Sequence, residues 1–293
     1  MTGWTPIAEE AERATRVLHP DEPFPRPTRR RVLTVANQKG GVGKTTSAVN
    51  LAAAMAMRGL RVLVVDLDPQ GNASTALGVE HRSGTPSVYE ALIGEVSLAE
   101  AAVLSDQSEN LYCVPATIDL AGAEIELVAM TARESRLKEA LTPDVLDHIR
   151  PDYVFIDCPP SLGLLTVNAM VAAEEVFIPI QCEYYALEGL SQLLNNIELV
   201  QNHLNQNLWV STILLTMYDG RTKLADQVTA EVRRHFGDTV LTTVIPRSVK
   251  VSEAPGFGQT VLTYDPGSRG AMSYLDAARE MAERGAAAEK GNQ

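Results

Sequence analysis

The residues with the clearest chemical potential in this chain are the glycines, lysines and threonines of 37-NQKGGVGKTTSAVN-50. Glycine lets backbone N–H groups approach an anion closely, and the N-terminus of a following helix adds a positive dipole. In such a loop Lys44 reaches the β/γ oxygens of a nucleotide and the Thr45 hydroxyl can ligate Mg²⁺, while Gly40, Gly41, Val42, Gly43 and Thr46 shape the cradle. The spacing departs from G-x-x-x-x-G-K-[ST] at one point: the first glycine would fall at Gln38, and Gly40 or Gly41 stands in for it. A cradle of this kind needs a single lysine, yet Lys39 also stands at its entrance.

Two further stretches, 66-DLDPQGN-72 and 157-DCPPS-161, place Asp66, Asp68 and Asp157 at the ends of apolar runs. Open parallel sheets bind ligands outside the carboxyl ends of their strands, so these three carboxylates should converge on phosphates and metal. There a carboxylate can hold a Mg²⁺-bound water or orient the attacking water for in-line displacement. A lone aspartate at a strand end reads equally well as a helix N-cap. Three of them beside a phosphate loop favour the functional reading.

The elements that must position these groups are legible as short β-branched runs alternating with longer helical ones. The runs 32-VLTVA-36, 61-RVLVVD-66, 111-LYCVP-115, 153-YVFID-157, 175-EVFIPI-180, 209-WVSTILL-215 and 240-VLTTVI-245 read as strands. Most are apolar throughout, as parallel strands covered on both faces are. Helices are expected over 45–58, 161–173, 186–204 and 222–236, the first closed by Gly59. This order predicts an α/β fold with a doubly wound, mostly parallel sheet, in one domain over 32–285. Five prolines in residues 1–31, ending in the basic run 29-RRR-31, suggest a mobile N-terminal tail. Within it Ile7, Ala11, Ala14 and Leu18 fall at helical spacing. Residues 286–293 read as a C-terminal tail.

Composition narrows the class. The chain has 293 residues and a formal charge of -12, so nucleic-acid binding would have to come from a local patch. Between Arg221 and Lys250 six lysines and arginines face three acids, and Arg221, Arg247, Lys250 and Arg269 are the candidate DNA contacts. They read equally as solvated helix charges. Cys113, Cys158 and Cys182 are too scattered for a disulfide framework or thiolate metal site, which points to a reducing cytoplasm. No apolar run reaches the roughly 18 residues of a membrane span.

The string KGGVGKTT resembles the deviant Walker A motif of the ParA/MinD ATPases. The segments DLDPQGN, DCPPS, 245-IPRSVKVSEAP-255 and 264-YDPGSRGA-271 resemble its chromosome-partitioning ParA (Soj) branch. The resemblance implies ATP and Mg²⁺ as cofactors and a homodimer that forms in ATP. Lys39 would cross the dimer interface to the phosphates of the other subunit. It implies that Asp68 positions the hydrolytic water, that Asp66 supports the metal region, and that Asp157 acts through Mg²⁺ water. Pro246, Arg247 and Ser248 would line the adenine pocket, with Ser248 shorter than the asparagine usual there. Non-specific double-stranded DNA on the nucleoid and a ParB-type centromere-binding protein would be the partners. A MinD-like membrane ATPase is the first rival, but 279-REMAERGAAAEKGNQ-293 offers no large apolar face. A nitrogenase iron-protein relative and an ATP-dependent synthetase of the same fold are the others.

Overall fold

Along the central strands, successive side chains enter opposite hydrophobic clusters, as the period-two geometry of a strand covered on both faces requires. In β1 (Arg31–Val35) Val32 faces one cluster while Leu33 and Val35 face the other. In β2 (Val62–Asp66) Leu63 and Val65 divide from Val62 and Val64 in the same way. These features belong to a computed structural model that describes residues 6–19, 22–142, 146–184 and 186–287.

The remaining strands are β3 (Val103–Leu104), β4 (Leu111–Val114), β5 (Tyr153–Asp157), β6 (Glu175–Gln181), β7 (Trp209–Tyr218) and β8 (Val240–Pro246). They form one eight-stranded sheet in the order β3-β4-β2-β5-β1-β6-β7-β8. Every pairing is parallel except β3 with β4. The predicted doubly wound, mostly parallel sheet is therefore present, and the seven predicted strands are its seven longer members. The two-residue β3 was missed because it is too short to carry a periodic signal.

The chain leaves β1 toward β2 on one side and later returns through β6 on the other, so β1 lies at the point where the winding reverses. Ligands bind at such switch points. The register pairs Val35 with Asp157 and Asp157 with Asp66, so the three strand ends open at one level.

The N-terminal segment differs from its sequence reading. Residues Pro6–Leu18 form a helix, α1, that is docked and not a free tail. Its predicted apolar stripe is not the buried face, since Ile7 and Leu18 are exposed and Val17 is the buried residue. Arg13 donates from Nε to the Gly267 carbonyl at 2.7 Å, and Arg16 lies 3.8 Å from Asp276. Polar tethers to the C-terminal helix Arg269–Ala287 and to Gly267 before it, together with Val17 in the core, hold α1, and the apolar stripe read from the sequence reports none of them. That helix also runs through residues 286 and 287, and the rest of the expected C-terminal tail lies outside the described residues.

The basic run 29-RRR-31 is likewise consumed by the fold. Arg29 pairs with Glu174 at 3.1 Å, Arg30 donates to the Leu141 carbonyl at 2.9 Å, and Arg31 begins β1. Arg31 meets the buried carboxylate of Glu175 in a fork, with Nε 2.7 Å from Oε1, and its guanidinium lies over the Tyr153 ring. Removing one partner of a buried pair leaves the other charge unpaired. Glu175→Gln should therefore lower unfolding free energy by about 3 kcal/mol, read by urea denaturation; a loss below about 1 kcal/mol would show the fork to be dispensable.

Candidate functional site

Helix α2 (Lys44–Met57) follows β1 through the glycine loop, and the loop depends on backbone angles that side chains resist. Gly41 has φ +74° and Gly43, the residue capping α2, has φ +88°. A residue with a Cβ is strained in that left-handed region. The Thr216 hydroxyl at the end of β7 donates to the Val42 carbonyl at 2.8 Å, and Asn37 Nδ2 donates to the Pro179 carbonyl in β6 at 2.8 Å. The loop is thereby fastened to β6 and β7.

The loop opens onto a cavity of about 850 Å³ lined by Gly40, Gly41, Gly43, Lys44, Thr45 and Thr46. Further lining comes from Asp68, from Gln70 and Asn72 beyond it, and from Val251, Ser252, Pro255 and Gly256. A second cavity of about 280 Å³ shares Gly43, Thr46, Met217, Val251 and Ser252 with the first. It is lined by Pro246, Arg247 and Ser248, the residues expected around adenine. A triphosphate compartment and an adjoining smaller one of mixed polarity suit a nucleotide.

Lys44 is buried, and its ammonium donates to the Lys39 carbonyl at 3.2 Å. Burial lowers its pKa, while Asp157, Cys158 and Asp68 pull it back up. Asp157 is fully buried, and neither carboxylate oxygen has a hydrogen-bond partner. Burial, then the neighbouring Asp66, pushes its pKa well above the carboxylate range; the Thr45 hydroxyl and Lys44 oppose the shift without satisfying the group. A buried carboxylate with two bare oxygens beside a threonine hydroxyl fits a cation that completes its shell with water and phosphate oxygens. Mg²⁺ is such an ion. Asp157 and Thr45 are the residues that would hold it.

Asp66 differs from its sequence reading. Like Asp157 it is set back from the cavity lining, but unlike Asp157 it is satisfied, accepting from the backbone N–H and hydroxyl of Ser74, at 2.8 and 2.7 Å, and from Asp68 N–H at 3.2 Å. Its carboxylate thus ties the cavity wall, through the short helix α3 (Asn72–Ala76), to the end of β2. Burial raises its pKa to about 6. Asp68 does face the cavity, accepting from Gln70 N–H at 3.0 Å.

Lys39 is the residue expected to reach the phosphates of another subunit. It does not line the cavity of its own chain, and its ammonium is ion-paired with Glu183, just beyond β6. The basic candidates do gather. Arg247 N–H donates to the Tyr218 carbonyl, and Gly270 abuts Ser248 and Val251, so Arg221, Arg247, Lys250 and Arg269 sit on neighbouring segments, with Arg247 lining the second cavity and the other three outside it. All four are exposed, but Arg221 is forked onto Asp219 and Lys250 pairs with Glu253 at 3.2 Å. Sequence reasoning missed Gln70, Asn72, Thr75, Met217 and Ser252 as lining residues. Met217, with φ +50°, carries no sequence signal for that backbone.

All three cysteines are buried as free thiols, and burial lifts Cys158 to about 12. That placement removes Cys158 from a subunit surface where an iron–sulfur cluster could be shared. Among the described residues, no helix is long and apolar enough to cross a membrane.

A glycine-rich loop between strand and helix at a switch point, with two adjoining cavities and an unsatisfied strand-end aspartate, is the geometry of a P-loop nucleotide-binding fold. A domain-family profile described as an AAA domain matches residues 30–210. The chain is 54% identical to the sporulation initiation inhibitor protein Soj of Bacillus subtilis, over 87% of this chain and 99% of that one. It is 51% identical to the chromosome partitioning protein ParA of Caulobacter vibrioides, over 87% and 94%. Among solved structures, one described as a cobyrinic acid a,c-diamide synthase from Mycobacterium smegmatis, with bound ATP analogue and magnesium, superposes with TM-score 0.74. It is 40% identical and covers 90% of this chain and 97% of that one. The MinD cell division ATPase of Pyrococcus furiosus has TM-score 0.69 at 26% identity, covering 86% and 98%. The chain belongs to the ParA/Soj family of chromosome-partitioning ATPases, enzymes whose cofactors are ATP and magnesium.

The raised carboxylates give a pH signature with a definite sign. The unfolded chain loses its aspartate protons near pH 4 and folded Asp66 near 6, while burial also holds folded Asp157 well above the ordinary carboxylate range. In that window the native state binds more protons, so these groups make stability fall as pH rises. Without nucleotide, Asp157→Asn should melt higher than wild type at pH 7.5, and the gap should shrink toward pH 5. An equal gap at both pH values would contradict the buried, uncompensated carboxylate.

Proposed function

We propose that this chain is a partitioning ATPase in which ATP joins two copies, the joined form holds double-stranded DNA without sequence preference, and hydrolysis releases it. The observation that carries this reading is the charge of the cavity. Lys44 is the one cation among the described residues that line it, while Lys39 of the same loop stands outside. A triphosphate with its magnesium ion retains negative charge that a second positive group would stabilise, most of all as charge shifts in the transition state. A facing copy can supply that group through its own Lys39, as an arginine finger does in trans.

In this scheme Lys44 anchors the β/γ phosphates and Asp157 with Thr45 holds magnesium, which when bound neutralises and orients the terminal phosphoryl group. Asp68, at the cavity wall, positions the attacking water, and Pro246, Arg247 and Ser248 take the base. A ParB-type centromere-binding protein would stimulate hydrolysis on the nucleoid, a role supported by the partitioning proteins to which the chain is about half identical. The 40% identical structure described as a synthase favours a second reading, an ATP-dependent synthetase. DNA binding separates the two.

The test is duplex-DNA cosedimentation with no nucleotide, ADP, and a slowly hydrolysed ATP analogue, followed by salt titration of the ATP-analogue state. DNA should bind in the ATP state with little difference between random and defined duplexes. Exposed Lys250 and Arg269 lie outside the phosphate cavity, so Lys250→Glu and Arg269→Glu should each lower the slope of log affinity against log salt. The drop should be about 1.8, at roughly 0.9 per phosphate and two copies per dimer. A wild type that ignores DNA in every nucleotide state would favour the synthetase.

A further inference from the structure

The ion pair between Lys39 and Glu183 joins two rigidly held backbones. Lys39 N–H donates to Asn37 Oδ1 at 3.0 Å, and the Lys39 carbonyl accepts from Lys44 Nζ at 3.2 Å. Both sides of the Lys39 peptide are thus fixed, so its side chain is the part that can change direction. The carboxylate side is equally fixed. Glu183 N–H donates to the Gln181 carbonyl at 2.8 Å, and Cys182 N–H to the Thr216 carbonyl at 3.1 Å. Thr216 in turn holds the Val42 carbonyl of the glycine loop. The end of β6 and the glycine loop are one unit, and the pair forms without ordering any loop.

We infer that Glu183 is a positioning residue that parks Lys39 in its own subunit and must release it before the lysine can serve another chain. This rests on the proposal that Lys39 acts in trans. Lys39 and Glu183 are 39% and 32% exposed, so the pair is screened and weak, as a releasable contact should be. Its effect is a threshold. A second copy must offer Lys39 a stronger partner than one carboxylate, and a triphosphate does so where a diphosphate, with less charge, does less. The pair thereby sharpens the difference between the ATP and ADP states without touching the nucleotide.

The experiment uses the full chain as wild type, Glu183→Gln and Glu183→Asp. Association is measured by sedimentation equilibrium with magnesium and a slowly hydrolysed ATP analogue. Acylation of Lys39 is followed by mass spectrometry in the ADP state. An exposed pair contributes a factor of about 1.4 to 5, and two pairs open per dimer, so Glu183→Gln should tighten the dimer by about 2- to 30-fold. Glu183→Asp, which keeps the charge, should lie closer to wild type. Lys39 should acylate faster in Glu183→Gln than in wild type. A Glu183→Gln dimer as weak as wild type or weaker, or unchanged Lys39 acylation, overturns the inference. A wild type that stays monomeric in ATP instead removes the trans role itself, and acylation alone then decides the pairing.

Discussion

The rest of this structure is organised around a buried carboxylate that the fold leaves unsatisfied. Asp157 ends β5, the strand between β2 and β1, and both its oxygens lack partners in a fully buried position. Leaving such a group unpaired is costly, and a fold retains it where something else completes it. Around it the chain has placed Lys44 at the start of α2, the Thr45 hydroxyl and the Asp68 carboxylate. The sheet order makes this possible. Only at the switch point do the ends of β1, β2 and β5 open together on one loop.

Much of this frame was legible in the sequence because it rests on local rules. Seven strands announced themselves as short β-branched runs, and the glycine loop between a strand and a helix has few other uses. What the sequence did not show are pairings between residues far apart in the chain. Arg31 reads as the end of a basic run, yet it meets Glu175 in the sheet. Asp66 and Asp68 look alike in DLDPQGN, but Ser74 engages one and leaves the other facing the cavity. Helix α1 escaped because polar tethers hold it and its apolar stripe faces outward.

The same long-range pairing sorts the basic residues of an acidic chain into those tied down by the fold and those left at the surface. Arg30 and Arg31 are engaged within the fold, while Arg29 keeps an exposed pair with Glu174. Lys250 and Arg269 remain exposed on segments adjoining the base compartment. A DNA face there would share Ser248, Val251 and Ser252 with the nucleotide site, so nucleotide and DNA could influence each other through one short segment. The second lysine of the glycine loop fits the same division. Lys44 lines the cavity of its own chain, and Lys39 stands outside it, paired with Glu183.

Under the proposed trans role the two lysines of the loop do separate work. The most direct measurement is sedimentation velocity of wild type and Lys39→Ala with magnesium and a slowly hydrolysed ATP analogue, alongside nucleotide affinity for each. The account predicts that Lys39→Ala binds nucleotide as wild type does but stays monomeric where wild type forms a dimer. A Lys39→Ala protein that dimerises as fully as wild type would contradict it.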